Sequence, residues 1–448
     1  MDVYAIPIDG KYILYRPLLK LAFIGNRSMA DLALRLANQQ DNGTSTPDAP
    51  ADVLAFLDQI GFLQPDPAPP PPPNPEFRPV TAVLLMTNRC TLRCTYCYAD
   101  AGILPPEDLS YELARAVIDQ VASNAAEQHL PQFEICFHGG GEPTFAWDVM
   151  TRATVYARTQ PVPAKVTTVS NGVWSARQRD WILHHLDGLT ISLDGGPETQ
   201  NRQRPLASGQ GSSRHVMKTI RALDNANFDY GIRMTAVAPW RDRFAADVRF
   251  ICEETGCKTI QVEPAFNMVR GEHGESSLAE SEEFVAAFME AFEIAAAAGR
   301  SLAYSGARPW LVTQTFCTAP YQALIVNAAG QVVACYEIAS DNHVMAHIST
   351  IGAVRETQIA VDLPARDRML GLLADKKQTQ CADCFCRWHC AGDCYTRSFV
   401  VNGTTILPTT TRCHTNRQIT AHLLLWNIMA SGGVWRGQNL MVIPKRDC

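Results

Sequence analysis

The chain opens on short runs that alternate apolar and polar positions. Tyr4-Ala5-Ile6-Pro7-Ile8 and Lys11-Tyr12-Ile13-Leu14-Tyr15 flank Asp9-Gly10, a pair suited to a two-residue hairpin turn. The period then lengthens. Met29, Leu32, Leu34 and Leu36 predict a helix over 29–37, and a second helix is predicted within 47–63, opening at Asp48 or Asp52. From Val80 to about Gly299 strand-like and helix-like segments alternate. Strands are predicted at 82–87, 133–138, 165–170, 189–193, 231–237 and 259–262, and helices at 111–128, 174–186, 213–226, 242–254 and 278–298. Six such units predict an α/β fold with a parallel sheet and outer helices, either a partial barrel or a doubly wound sheet. Both architectures gather chemistry at the C-terminal ends of their strands. After about residue 300 the alternation stops. Residues 323–326 and 332–334 flank Asn327-Ala328-Ala329-Gly330 and read as a hairpin; beyond Gln380 the chain is short-patterned and rich in cysteine. A segment that buries so little apolar surface needs metal crosslinks to hold it.

Proline marks a boundary. Nine prolines fall within residues 65–79, five of them consecutive from Pro69 to Pro73. With φ fixed and no N–H to donate, this stretch reads as an extended spacer. The expected organisation is a small unit at 1–64, a linker at 65–79, a β–α core at 80–305 and a cysteine-rich unit at 306–448.

Charge and composition narrow the partners. The 448 residues carry 39 Lys and Arg against 45 Asp and Glu, a net charge of −6, which argues against nucleic acid as a partner. A hydrophobic share of 46% and a charged share of 19% describe a globular chain. The longest apolar-leaning run, 419–435, is broken by His422 and Asn427 and falls short of the ~18 residues that a membrane span needs. No secretory signal pattern opens the chain, so a cytoplasmic location is expected, with no membrane partner. In a reducing compartment, clustered cysteines point to metal or iron–sulfur ligation, and three of the 15 lie within 90–97 and five within 381–394.

Cys90, Cys94 and Cys97 follow the first predicted strand of the core, with Tyr96 just before the third. Three thiolates at this spacing can hold a [4Fe–4S] cube while one iron keeps no protein ligand; zinc would want a fourth donor nearby. Gly139-Gly140-Gly141-Glu142-Pro143 follows the second strand, Ser170-Asn171-Gly172 the third, and Ser192-Leu193-Asp194-Gly195 the fourth, with Arg204 beyond it and Glu263-Pro264 closing the sixth. Together these resemble the radical S-adenosylmethionine (SAM) superfamily over roughly 80–300. The resemblance implies a partial (β/α)6 TIM-type barrel. It implies cluster ligation by Cys90, Cys94 and Cys97, and SAM contacts from Tyr96, Gly140, Gly141, Glu142, Ser170, Asn171, Ser192, Asp194 and Arg204. Glu263 would face the cavity, toward SAM or substrate. A guanidinium such as that of Arg204 suits a carboxylate because it is a planar, two-pronged donor.

The C-terminal cysteines are Cys317, Cys335, Cys381, Cys384, Cys390, Cys394 and Cys413. Their order and spacing resemble the SPASM extension of radical SAM peptide-modifying enzymes, which carries two auxiliary [4Fe–4S] clusters. Zinc ribbons are the competing reading, since Cys-x2-Cys pairs also bind zinc. By position, the resemblance gives one cluster to Cys381, Cys384, Cys390 and Cys413. The other goes to Cys317, Cys335 and Cys394, with a fourth ligand that is a substrate, another side chain or Cys386. Of the remaining cysteines, Cys136, Cys252 and Cys257 read as small buried hydrophobes and Cys448 as a frayed terminus. A hydrogen-atom-donating cysteine, as in radical epimerases, stays open. The 1–64 unit resembles the winged-helix-like, PqqD-like leader-recognition element of ribosomal peptide maturases, in which a leader peptide adds a strand to a sheet edge.

The whole pattern resembles a radical SAM/SPASM peptide maturase. That implies three [4Fe–4S] clusters, SAM, a precursor peptide with its leader, and a reduced flavodoxin- or ferredoxin-type electron donor. It implies hydrogen abstraction by a 5′-deoxyadenosyl radical and an oxidative crosslink, either a cyclophane-type C–C or C–O bond or a thioether. The alternatives are a sulfatase-type formylglycine maturase, a peptide epimerase, and a non-enzymatic electron carrier or peptide scaffold.

Overall fold

Asp9 and Gly10 both take left-handed backbone, with φ of 45° and 74°, and turn the first hairpin as their sequence predicts. The computed structural model describes residues 1–42, 49–240, 242–265, 270, 276–402 and 409–439. Strands β1 (Tyr4–Ile8) and β2 (Lys11–Arg16) flank that turn, and β3 (Leu21–Gly25) adds a third antiparallel strand that the pattern did not predict. Helices Arg27–Asn42 and Ala51–Gln59 follow. The predicted helix start at Pro47 and Asp48 lies outside the described residues.

The α/β core is a parallel run: β4 (Thr81–Leu85), β5 (Phe133–His138), β6 (Ala164–Ser170), β7 (Gly188–Ser192), β8 (Tyr230–Ala236), β9 (Thr259–Pro264) and β10 (Ser301–Tyr304) pair in order. β10 adds a seventh strand to the six expected; at four residues it is too short to show a period. Beyond β4 the sheet continues through β11 (Ala323–Val326), β12 (Gln331–Val333), β13 (Thr350–Arg355) and β14 (Gln358–Val361). The predicted hairpin is therefore β11–β12. Its first strand also pairs in parallel with β4, which accounts for all four of its residues being buried. The sheet does not close: β10 and β14 are its two end strands among the described residues.

Strand alternation separates packing from chemistry. On β5, Phe133, Ile135 and Phe137 are fully buried in the main apolar core, while Glu134, Cys136 and His138 line the lumen. Arg233 and Thr235 of β8, and Gln261 and Glu263 of β9, point the same way, so the lumen is polar.

β15 (Val434–Arg436) comes from near the C-terminus and pairs with β3, completing a four-stranded sheet with β1 and β2. One face of that sheet, through Leu14, Leu21 and Phe23, packs on its own helices. The other face, through Ile6, Ile13, Tyr15 and Ala22, packs on Leu424 and Ile428 of helix Thr411–Ala430 and on Trp435. The proline stretch forms no helix or strand, but it is anchored. Gln314 donates to the Pro70 carbonyl at 2.7 Å and Arg366 to that of Pro75 at 3.0 Å, while Arg16 donates to the Phe62 and Gln64 carbonyls and pairs with Asp66. Among the described residues no helix is long and apolar enough to cross a membrane.

Candidate active site

The loop after β4 is held by backbone bonds from two directions. Gly141 and Glu142 donate to the Thr87 and Arg89 carbonyls, both at 2.8 Å. From the other side Arg93 donates to Pro205 O, Thr95 to Gln203 O and Ala207 to Thr91 O. A Cβ at Gly141 would sit 2.1 Å from the Arg89 carbonyl oxygen, so glycine is required there by the approach of two loops. Cys90, Cys94 and Cys97 project from this double-sided clamp, and Leu92 of the same loop and Ala265, just past β9, pack with them. Burial pushes the Cys90 thiol up to about 12, with the Glu142 charge adding to it, and burial raises Cys94 too. A bound iron would invert that preference by holding the thiolate.

Glu142 is almost wholly enclosed. Its Oε1 accepts from the Ser170 hydroxyl at 2.7 Å and the Thr144 hydroxyl at 2.9 Å, and its Oε2 from the Asn171 backbone N–H at 2.8 Å. The carboxylate thus ties the end of β6 to the loop after β5. Asn171 then turns its Nδ2 to Thr91 at 3.1 Å and to the Cys90 sulfur at 3.7 Å. A second knot holds the other flank. The Tyr96 hydroxyl donates to Asp194 at 2.5 Å and accepts from Arg204 at 2.7 Å, and Asp194 also accepts from the Thr235 N–H at 3.0 Å. Burial pushes the Asp194 carboxyl up, against the pull of Arg204 and Tyr96. Asp194 is fully buried behind Tyr96 and Arg204 and does not line the cavity, whereas Gly140, Gly141, Glu142, Ser170, Asn171, Ser192, Arg204 and Tyr96 do.

Glu263 lines the cavity and is tied to the C-terminal part of the chain. Arg412 donates to its Oε2 at 3.1 Å and pairs with Asp393 at 3.0 Å, and the Ser305 N–H donates to Oε1 at 3.2 Å. Burial alone would raise the Glu263 carboxyl, but Arg412 and Arg233 outweigh it and hold the group below its ordinary range. His138, at the end of β5, stacks on Tyr336 with centroids 5.7 Å apart. Burial, aided by Arg233, lowers its pKa to about 4 and keeps the ring neutral. Sequence reading missed His138, Arg233, Glu337 and Arg412. His138 alone carried a signal, its place at a strand's C-terminal end.

The C-terminal cysteines fall into two sets. Cys381, Cys384, Cys390 and Cys413 lie close enough that their charges act on one another, and Asn416 donates to Cys390 at 3.3 Å. Cys386 belongs with them: burial, and then its bond to Cys384, push its thiol up, while the same bond lowers Cys384. Cys394 acts on Cys335, and Tyr395 feels both of them and Cys317. Among the described residues no group of three or more His, Cys, Asp or Glu could hold a metal ion. A four-iron cube takes each thiolate on a different iron and so accepts thiols set farther apart than a single shared zinc would.

One cavity of about 1490 Å³ joins these parts. Cys90, Cys94 and Cys97 line it, as do Cys317, Cys335 and Cys394, with Pro69, Pro72, Pro73 and Pro75 at its wall; Cys381, Cys384, Cys390 and Cys413 do not.

Comparison with known proteins places this arrangement. Residues 84–247 match the family described as the radical SAM superfamily. The sporulation killing factor maturation protein SkfB of Bacillus subtilis (strain 168) is 24% identical over 311 residues, which cover 68% of this chain and 69% of SkfB. Among solved structures, native anSMEcpe with bound AdoMet superposes with a TM-score of 0.62 at 15% identity, covering 79% of this chain and 99% of that one. Streptococcus suis SuiB bound to precursor peptide SuiA gives 0.53 at 13% identity, covering 92% and 98%. At these identities the two structures establish a shared fold.

Proposed function

We propose that this chain, an enzyme whose residues 84–247 form a radical SAM domain, modifies a ribosomally made precursor peptide by closing an oxidative crosslink within it, of the cyclophane C–C or C–O type or a thioether. The domain implies SAM and one [4Fe–4S] cluster, which Cys90, Cys94 and Cys97 would hold; two auxiliary clusters belong to this proposal, on the two C-terminal cysteine sets. When bound, these groups supply a carbon radical that takes a hydrogen from an unactivated C–H and an acceptor for the electron released as the bond closes.

The chain's own residues position and exclude. Glu142 and Asn171 hold the Cys90 flank of the loop, and Tyr96 with Asp194 presents Arg204, whose guanidinium suits the SAM carboxylate. Ser192 and Gly140 line the same side of the cavity. Glu263, kept ionised by Arg412, offers a carboxylate to a peptide N–H, and neutral His138 can accept or donate at its ring without bringing a charge into the lumen. The observation that carries the reading is the shared cavity, which both cysteine triads line and whose space is large enough for a peptide segment. A ring closure that removes two hydrogens needs both; epimerisation, which is redox-neutral, has less use for the second. The names of SkfB as a maturation protein and of SuiB with its precursor peptide support the same substrate class.

The N-terminal sheet is proposed to capture the leader. Tyr4, Ile6 and Ile8 oppose Tyr15, Ile13 and Lys11 across the hairpin, which leaves the backbone of Ala5 directed outward from end strand β1. Deleting 1–64 would bare the apolar face of helix Thr411–Ala430, so the sharper variant is Ala5→Pro, which removes an outward N–H. Its affinity for the precursor should fall while SAM cleavage persists; unchanged affinity refutes the leader role. The reaction itself is tested by anaerobic co-expression with the small open reading frame beside the gene. The peptide should lose two hydrogens per turnover and 5′-deoxyadenosine should accumulate. A peptide of unchanged mass, or a cysteine turned to formylglycine, would replace this reading with another.

A further inference from the structure

The fourth corner of the cluster at Cys317, Cys335 and Cys394 has a candidate in Glu337. Two residues past Cys335, its backbone N–H donates to the Cys335 sulfur at 3.5 Å, which ties the Glu337 backbone to that thiol. Its Oε1 accepts from Arg397 at 2.8 Å. Its Oε2 is buried with no hydrogen-bond partner, a costly state for a carboxylate oxygen unless something else is coordinated there. Glu337 lines the cavity beside those cysteines.

We propose that Glu337, through Oε2, is the fourth ligand of the iron–sulfur cluster held by Cys317, Cys335 and Cys394, an assignment that rests on the auxiliary-cluster reading above. Neighbouring donors are committed elsewhere. Cys386 bonds to Cys384 in the other set and does not reach the cavity. Both oxygens of Asp393 lie 3.0 Å from Arg412 Nε, the Thr396 hydroxyl donates to the Cys335 sulfur at 3.2 Å, and the Tyr395 hydroxyl donates to the Ala334 carbonyl. A carboxylate carries the same unit charge as a thiolate and is a harder oxygen donor. It closes this cluster against the substrate and leaves the open iron to the Cys90 set. Arg397, paired with the other oxygen, fixes the carboxylate's direction.

The test uses full-length chain, reconstituted anaerobically, in which Cys90, Cys94 and Cys97 are all replaced by Ala so that only auxiliary clusters contribute. The probe is 2-mercaptoethanol, a small thiol that enters an open iron site, read by electron paramagnetic resonance of the reduced protein. With Glu337 present the spectrum should not respond to thiol. Glu337→Ala should keep its iron and show one auxiliary signal shifting on thiol addition, and Glu337→Cys should restore insensitivity. Arg397→Met, which removes the ion pair and leaves the carboxylate, should stay insensitive. A thiol response in the Glu337 parent, or none in Glu337→Ala, overturns the assignment. A parent that binds no auxiliary iron under these conditions overturns the cluster reading beneath it as well, and the iron assay tells the two failures apart.

Discussion

The Tyr96 hydroxyl stands between two buried charges, accepting from Arg204 and donating to Asp194. Tyr96→Phe leaves the guanidinium and the carboxylate buried without their bridge. Hydrogen bonds to charged groups contribute about 1.5–3 kcal/mol each, so the variant should lose roughly 2 kcal/mol or more of stability in denaturant unfolding and bind SAM more weakly in equilibrium dialysis. Unchanged unfolding would mean that Arg204 finds another acceptor. His138 makes a prediction of opposite character. Its folded pKa, about 4, lies below the 6.5 of the unfolded chain, so between those values the unfolded state binds more protons. Stability therefore falls as pH drops from about 6.5 toward 4, and His138→Asn should flatten that part of the profile relative to wild type. Other buried histidines remain in both chains, and the difference isolates this one. Residues such as Ser170, Asn171 and Glu142 were legible in the sequence because each ends a strand or follows one closely. Arg412 was not: it reaches Glu263 across 149 positions, a relation no local pattern encodes.

Elements were legible in proportion to their length and periodicity. β5 spans the predicted residues, and the long helix Leu278–Ala297 differs from its prediction by one. β10 and β15, of four and three residues, had no period to read. β15 matters beyond its size, because its central Trp435 is fully buried between the N-terminal sheet and helix Thr411–Ala430. Large-to-small changes of buried aromatics cost about 3–5 kcal/mol. Trp435→Ala should therefore unfold the N-terminal sheet at lower temperature than the core, seen as earlier hydrogen exchange in β3 than in β5; simultaneous exchange would show one cooperative unit. The proline stretch shows a different limit. Composition reveals that it lacks donors, but its carbonyls still accept, and Gln314 and Arg366 use them to fasten the strap along the cavity.

At the scale of the whole molecule, the cavity divides the ten candidate ligand cysteines unequally: two triads line it and the four-cysteine set does not. That division assigns different consequences to the loss of a ligand. Cys94→Ala removes a thiol from the site beside Tyr96 and Arg204, the residues proposed to contact SAM, and should abolish 5′-deoxyadenosine formation. Cys413→Ala removes one from the set outside the cavity. Its iron content should fall by about a third if three four-iron clusters are present, with SAM affinity unchanged because no residue of that set faces Tyr96 or Arg204. Cleavage of SAM should continue, while crosslinked peptide should fall at least tenfold if, as proposed, the outer set carries away the electron released on ring closure. The ratio of 5′-deoxyadenosine to product, measured by mass spectrometry on one reaction, is the decisive quantity. If Cys413→Ala keeps that ratio at the wild-type value, the outer set does not carry electrons and serves to brace a segment that buries little apolar surface of its own.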